Sequence, residues 1–250
     1  MNGENKSVLI IIGGGGGIGS AVARQWAAQG GRLVIAGRNA DRLAGVAAET
    51  GALAVPLDAR DGAAVDALLQ SVRASHGRVD GVVNCAGSIL LKPAHLTSDQ
   101  EFADTVAANL TTAFNLVRAA ARLMMQQSGG GSIVLCSSVA ARRGFVNHEA
   151  IAAAKAGVEG LALAAAATYA RHGVRVNCVA PGLTRTNLTR SLTQNEAVAK
   201  ISAAMHPLGR IGEPANVASA IGWLLDAGQS WVTGQVIGVD GGLGHVQARS

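Results

Sequence analysis

The segment VLIIIGGGGGIG, residues 8–19, decides the fold. Five apolar residues followed by glycines and then a helix-type pattern predict a strand, a tight turn and a helix. Such a turn lets backbone N–H groups approach a pyrophosphate at the helix N-terminus, and Gly13, Gly17, Ile18 and Gly19 are the candidate contacts. The run satisfies both G-x-G-x-x-G from Gly14 and G-x-x-x-G-x-G from Gly13, so the spacing alone leaves both forms open.

Short apolar runs alternate with longer helical patterns along the whole chain. The predicted strands are Val8–Ile12, Arg32–Ala36, Leu53–Leu57, Val79–Asn84, Ser132–Ser137, Val174–Val179 and Gln235–Val239. The predicted helices lie near residues 18–29, 40–49, 62–75, 100–127, 149–171, 184–206 and 214–226. Continuous apolar strands separated by helices are typical of a parallel sheet covered on both faces. We therefore predict one α/β domain over residues 1–250 with a doubly wound, seven-stranded parallel sheet, which carries both the cofactor and the substrate sites.

The residues that follow the predicted strands indicate where a ligand binds. In open α/β sheets, ligands bind at the edge formed by the carboxyl ends of the strands. Polar or backbone-shaping residues gather at that edge: Gly13, Arg38, Asp58, Asn84, Ser138 and Pro181.

The end of the second strand distinguishes between two cofactors. A carboxylate at this position would accept hydrogen bonds from ribose hydroxyls, whereas Arg38 pairs with a 2′-phosphate. The sequence therefore favours NADP over NAD, with a solvated arginine as the alternative.

Composition excludes several classes of partner. Hydrophobic residues make up 49% of the 250 residues and charged residues 15%, and the net charge of +5 is scattered along the chain. Because no Lys/Arg block or aromatic interleaving occurs, we expect a small-molecule substrate and no nucleic acid. The N-terminal MNGENKS is polar, and no apolar run approaches the roughly 20 residues of a bilayer span, so we expect a cytoplasmic protein without membrane contact.

The three cysteines each end an apolar run, at Cys85, Cys136 and Cys178. Their number is odd and no pair has the spacing of metal ligands. We expect buried, reduced thiols and no metal site.

From Lys6 to Gly242 the chain resembles the short-chain dehydrogenase/reductases, in particular the single-domain members that include 3-oxoacyl carrier-protein reductases. The motifs that carry the resemblance are the glycine loop, Asn84-Cys85-Ala86-Gly87, the serine pair Ser137-Ser138, and VNCVAPGLTRT over residues 176–186. The resemblance implies a Rossmann fold. It also implies that Asp58 contacts adenine, that Asn109 and Ser138 are catalytic, and that Asn84, Ala86 and Gly87 lie beside the cofactor. Pro181, Gly182, Thr184 and Thr186 would then hold the nicotinamide carboxamide and the pyrophosphate.

One departure from the family pattern affects the chemistry. The family's Y-x-x-x-K motif is Ile151-Ala152-Ala153-Ala154-Lys155 in this chain. The resemblance implies that Lys155 binds the ribose of the nicotinamide, but no phenol accompanies it. Tyr169 is the one tyrosine of the chain, and at 1.5 Å per residue it lies about 20 Å farther along the helix, too far to substitute.

Three interpretations of the missing phenol remain open. The substrate can be one that needs no phenol, such as an iminium or an activated C=C bond, with Ile151 as an apolar wall. Alternatively His148 supplies the proton, because it shares a helical face with Ile151 and Lys155 if the helix begins at 148, and imidazole exchanges protons near neutral pH. The third interpretation is an NADP-binding regulatory protein or non-redox enzyme on the same fold.

Two alanine-rich helices indicate an assembly. The helices predicted over 100–127 and Glu149–Arg171 are rich in small apolar residues. In the family these helices form a dimer face and the last strand completes a tetramer, so the resemblance implies a homodimer or homotetramer.

Overall fold

The computed structural model describes residues 7–247, which form a seven-stranded sheet. The strands are β1 (Val8–Ile12), β2 (Arg32–Gly37), β3 (Leu53–Pro56), β4 (Gly81–Asn84), β5 (Gly131–Cys136), β6 (Val174–Pro181) and β7 (Val236–Val239). Every neighbouring pair is parallel, in the order β3-β2-β1-β4-β5-β6-β7. The predicted doubly wound parallel sheet is confirmed, with strand ends shifted by no more than two residues. The polar residues ahead of Ser7, on which the expectation of a cytoplasmic protein partly rests, lie outside the described residues.

The apolar strands are buried on both faces because helices cover each side of the sheet. Every residue of β1 is buried, and its alternate side chains join two different apolar clusters. Ile10 packs beneath the α3/α5 side, whereas Leu9 and Ile11 pack beneath the α1/α9 side. Burial of continuous aliphatic runs on two faces is the main driving force for this architecture.

Nine α-helices lie in the described part of the chain. They are α1 (Gly17–Ala28), α2 (Ala40–Thr50), α3 (Gly62–His76), α4 (Asp99–Val106), α5 (Thr112–Met124), α6 (Glu149–Tyr169), α7 (Arg190–Thr193), α8 (Glu196–Met205) and α9 (Pro214–Leu225). Two predicted helices differ from the structure. The one predicted over 184–206 is a loop followed by α7 and α8, because Asn195 caps the start of α8 and interrupts the run.

The helix predicted over 100–127 is interrupted at its centre. A π-helical turn over Ala107–Thr111 separates α4 from α5. Within this turn the Asn109 side-chain amide donates to the Thr105 carbonyl at 2.9 Å. A π-turn widens the helix locally and is frequent at functional sites. Apolar periodicity does not report such an insertion, so the sequence predicted one continuous helix.

The longest helix, α6, lies against the sheet. Together with the turn that follows it, over Glu149–His172, it is long and apolar enough to cross a membrane by length and composition alone. It packs against β6 and α5, and Val158, Ala162 and Ala166 on its inner face are buried. These contacts identify it as a core helix, and Tyr169 lies at its far end.

Candidate active site

The glycine loop between β1 and α1 is shaped for close backbone approach. Gly13 has a φ of 80°, and a Cβ there would lie 2.6 Å from the Ala86 backbone nitrogen. A Cβ at Gly19 would overlap the Gly13 carbonyl oxygen. No side chain caps the first turn of α1 and no acidic residue lies in it, so its N–H groups are left for an anion.

Beside this loop, the ends of β2 and β3 bring charged side chains together. Arg38 is exposed directly after β2. The Asp58 carboxylate accepts hydrogen bonds from Arg60, which lower the pKa of Asp58, and the Arg38 charge acts in the same direction. Arg42, in the first turn of α2, is a second arginine beside the loop: its Cβ would be 3.1 Å from a Cβ at Gly15. Arg42 was missed from the sequence because it lies beyond the strand end, inside the next helix.

The segment after β4 is held by two buried asparagines. The Asn84 Oδ1 accepts from the Ala86 N–H at 2.9 Å, and its Nδ2 donates to Thr112. The Asn109 side chain binds the Ser88 backbone N–H at 3.3 Å and the Ser88 hydroxyl at 3.1 Å. Gly87 lies between Asn109 and Lys155: a Cβ there would be 2.8 Å from Asn109 Oδ1 and 3.5 Å from Lys155 Nζ.

The two serines after β5 have different surroundings. The buried Ser137 hydroxyl contacts the Glu159 carboxylate at 2.9 Å, so it joins the strand end to α6. The Ser138 Oγ accepts from the Ala140 N–H at 3.2 Å. Both serines line a cavity at the carboxyl edge of the sheet, but only the Ser138 hydroxyl hydrogen is left to donate to a ligand in that cavity.

Lys155 is buried, with 8% of its surface exposed, and its ammonium donates to the Cys136 carbonyl at 2.8 Å. Burial lowers the pKa of Lys155, and the groups that oppose this shift are thiols, not carboxylates. A buried ammonium with one carbonyl partner retains two donors, which suits a diol such as a ribose.

The three cysteines surround this ammonium. Cys178 is buried as predicted, and burial raises the pKa of its thiol above the ordinary value. Cys85 and Cys136 are only half-buried and line the cavity, with their sulfurs 3.7 Å apart across β4 and β5. Their contact and burial raise the pKa of Cys85.

The position that the resemblance assigns to a tyrosine is an apolar wall. Ile151 is 3% exposed and lines the same cavity as Lys155 and Ser138. His148 also lines it, although α6 begins at Glu149 and His148 is the residue before the helix. The preceding Asn147 has a φ of 64°, the one positive value at a non-glycine position in residues 7–247, and this turn presents His148 to the cavity.

The loop after β6 forms the opposite wall. Pro181, Gly182, Thr184 and Thr186 all line the cavity. Thr189, which the sequence analysis missed, holds the loop: its hydroxyl donates to the Thr184 carbonyl at 2.5 Å and contacts the Thr186 hydroxyl at 3.1 Å. A Cβ at Gly17 would lie 2.7 Å from the Thr186 methyl, so this loop meets the glycine loop at close range.

The resulting cavity has a volume of about 330 Å³ and a mostly apolar lining. Its apolar side chains include Ile89, Leu91, Val139, Phe145, Leu188 and Leu243. Of the residues predicted from the sequence, the cavity unites Ile18, Ala86, Gly87, Asn109, Ser138, His148, Ile151, Lys155 and the loop after β6. The other predicted residues do not line the cavity and lie along the same sheet edge toward β3: Gly13, Gly17, Gly19, Arg38, Asp58 and Asn84. No group of three metal-ligating side chains occurs within residues 7–247.

Known proteins share this architecture over nearly the whole chain. A family model described as enoyl-(acyl carrier protein) reductase matches residues 13–244. A Mycobacterium tuberculosis reductase of a hydroxy-methyl-oxo-hexahydroindene-carboxyl-CoA is 36% identical, covering 94% of this chain and 92% of that protein. The 3-oxoacyl-(acyl-carrier-protein) reductase MabA of Mycobacterium bovis is 35% identical, covering 96% and 93% of the two chains.

Two solved structures are similarly close. A short-chain type dehydrogenase/reductase from Mycobacterium ulcerans has a TM-score of 0.92 and 35% identity, and the match covers 97% of this chain and 91% of that one. A single-substitution variant of the actinorhodin polyketide ketoreductase, with NADPH, has a TM-score of 0.91 and 29% identity, with 98% and 100% covered.

Proposed function

The chain belongs to the short-chain dehydrogenase/reductase family of oxidoreductases, and from that premise we propose that it is an NADP-dependent reductase. Its substrate is an apolar molecule with a carbonyl, an imine or an activated C=C bond. The observation that carries this proposal is the meeting of Ser138, Lys155 and Asn109 at one apolar cavity whose tyrosine position is occupied by Ile151. The sheet edge would hold a nicotinamide dinucleotide, which would supply the hydride.

The residues present fit such a cofactor. The uncapped first turn of α1 and the glycines against which a side chain would clash form a cradle for a pyrophosphate. Ala86 and Gly87 line the cofactor side of the cavity, and Asn84 holds Ala86 from behind through the hydrogen bond to its N–H. Lys155 would donate to the ribose hydroxyls. Thr184 and Thr186 supply hydrogen-bonding groups on the loop opposite.

Specificity for NADP rests on two arginines. Arg38 and Arg42 both lie beside the glycine loop, and a guanidinium pairs with a phosphate through two parallel hydrogen bonds. Asp58 does not compete for ribose hydroxyls, because its carboxylate is already bound by Arg60.

We expect Arg38→Ala and Arg42→Ala each to weaken NADPH binding by about tenfold or more, since each removes a charge-assisted hydrogen bond to the 2′-phosphate. Titration of NADPH fluorescence measures the affinity. NADH, which lacks that phosphate, is the matched control and should lose little affinity. Equal losses for the two cofactors would exclude the arginines as phosphate ligands.

Proton delivery is assigned to His148. Its Nδ1 lies 2.8 Å from the Val146 carbonyl oxygen, which can only accept, so Nδ1 carries a hydrogen. In the imidazolium form Nε2 then holds the proton that the alkoxide requires after hydride transfer. Since His148 is only half-buried, solvent can return that proton after each turnover. Ser138 orients the carbonyl oxygen by donating its hydroxyl hydrogen.

For this role, His148→Ala should lower kcat for ketones by roughly 100-fold, the typical contribution of a positioned general acid. Stopped-flow measurement of NADPH oxidation tests this loss. His172→Ala, just beyond the opposite end of α6, is the matched control and should keep wild-type turnover. Turnover that survives His148→Ala would remove the histidine from the mechanism.

The substrate class is tested by NADPH consumption with three matched panels: cyclic ketones, cyclic imines and enones. Turnover with at least one panel is expected. Binding of NADPH without turnover on any panel would overturn the proposed activity.

We further propose a cytoplasmic homodimer or homotetramer. Phe102, Phe114 and Leu163, on α4, α5 and α6, leave large apolar side chains 47%, 49% and 62% exposed. Trp231, ahead of the last strand, is 98% exposed. These exposed apolar side chains support association through the surfaces that the resemblance implied.

A further inference from the structure

His206 holds an unsatisfied nitrogen beside the cavity. It follows α8 directly, is 3% exposed, and its Nε2 is the one buried side-chain polar atom without a hydrogen-bond partner among residues 7–247. The Nδ1 atom lies 2.6 Å from the Ser202 carbonyl oxygen, so Nδ1 carries the hydrogen. In the neutral ring Nε2 is therefore a free acceptor.

A glycine lies close to this acceptor. A Cβ at Gly182 would lie 2.9 Å from both His206 Nε2 and the Asp240 Cα, so a side chain at 182 would crowd the nitrogen. Gly182 and His206 line the active-site cavity, and both also line a second cavity of about 290 Å³ that continues toward Asp240 and Arg210. The His206 ring therefore lies between the two cavities, with its Nε2 buried.

Buried acceptors are rarely left unpaired, because desolvation without a new hydrogen bond is unfavourable. Met205 and Leu183, the sequence neighbours of His206 and Gly182, make this wall of the active-site cavity largely apolar, and Ser202 is its polar member. A single buried acceptor in such a wall cannot contribute much affinity, but it fixes the orientation of a ligand that carries a donor.

We propose that His206 Nε2 accepts a hydrogen bond from a hydroxyl or N–H group of the substrate, at a point other than the reacting carbon. His206 is then a specificity-determining residue. This inference rests on the proposed reductase function, and it predicts that the substrate is apolar with a hydrogen-bond donor directed toward the second cavity. A substrate without the donor would leave Nε2 buried and unpaired, which the site would reject.

The test uses tetralone and its monohydroxylated isomers as probes with NADPH. For at least one isomer, wild-type protein should show kcat/KM about tenfold or more above that for tetralone, the effect of one hydrogen bond to a buried partner. His206→Leu should bring this ratio close to one, and His206→Gln, which keeps an acceptor at the position of Nε2, should restore part of it. His172→Leu is the matched control and should keep the wild-type ratio.

Nitrogen NMR of the NADP-saturated protein gives a second measurement that does not depend on turnover. The Nε2 resonance of His206 should shift with the preferred hydroxytetralone and stay in place with tetralone. A shift without turnover would support the site and contradict the reductase activity. Turnover with no hydroxyl effect on the ratio or the resonance would mean that Nε2 binds only water, and would overturn the inference. A preference for a carboxylated tetralone would also overturn it, because Nε2 would then be a charged donor.

Discussion

Ile151→Tyr is expected to raise kcat/KM for ketones by about tenfold, less than the roughly 100-fold of a lone general acid because His148 already serves the same step. The substitution places a phenol one helical turn from Lys155, on the same buried face of α6 and facing the same cavity as Ser138. The Lys155 ammonium would then favour the phenolate and make the hydroxyl a better acid. Initial rates of NADPH oxidation with a ketone panel measure the gain.

Ile151→Phe is the matched control, since it adds the ring without the hydroxyl. A gain shared by both variants would reflect packing in the cavity and not proton delivery. The gain should be larger in a His148→Ala background, because two acids that serve the same step are not additive. An Ile151→Tyr protein that binds NADPH and reduces ketones no faster than Ile151→Phe would show that the remaining side chains no longer support a phenol.

Lys155→Met is expected to have opposite effects on turnover and on stability. Turnover should fall by about 100-fold or more, because a buried charged donor at the reacting ring is lost. The cofactor-free protein should nevertheless become more stable to urea. The Lys155 ammonium is buried with one carbonyl partner at 2.8 Å, and methionine fills similar space without a charge.

The difference in stability between Lys155→Met and the wild-type protein should shrink as pH rises. Burial lowers the folded-state pKa of Lys155 below the ordinary value of 10.5, so the folded protein releases this proton before the unfolded chain does. The unfavourable contribution is complete below the folded-state pKa and declines as pH rises toward 10.5. Wild-type stability should therefore approach that of Lys155→Met as pH rises from neutral. Lys200→Met, which removes an exposed ammonium from α8, is the control and should show no such convergence.

The sheet could be predicted because the sequence pattern of each strand is local and recurs along the chain. Each strand is a continuous aliphatic run, and each residue that ends a strand reaches the same edge, as the order from β3 to β7 shows. Lys155 stood out in the sequence as a lone charge on an alanine-rich helix, and in the structure it is buried. The catalytic and cofactor roles of these residues remain predictions, which the substitutions above test.

Other features depend on contacts between distant segments, and no local pattern reports them. Arg42 comes beside Gly15 only because α2 packs against α1. Thr189 holds the loop after β6 through hydrogen bonds that no pattern in the sequence around it predicts. Likewise, the importance of His206 follows from Gly182, which lies in a different loop of the chain. The unpaired Nε2 of His206 is apparent only in the folded chain.

The π-helical turn at Ala107–Thr111 determines the direction of the Asn109 side chain relative to the buried face of α5. Each residue of an ordinary helix advances the direction of side chains by about 100°. Shortening this turn by one position would swing α5 and its buried face, with Leu116 and Leu123, out of alignment with the sheet, or else turn Asn109 away from Ser88. Only with the extra residue of the π-helical turn can α5 pack on the sheet while Asn109 also reaches Ser88 at the cavity.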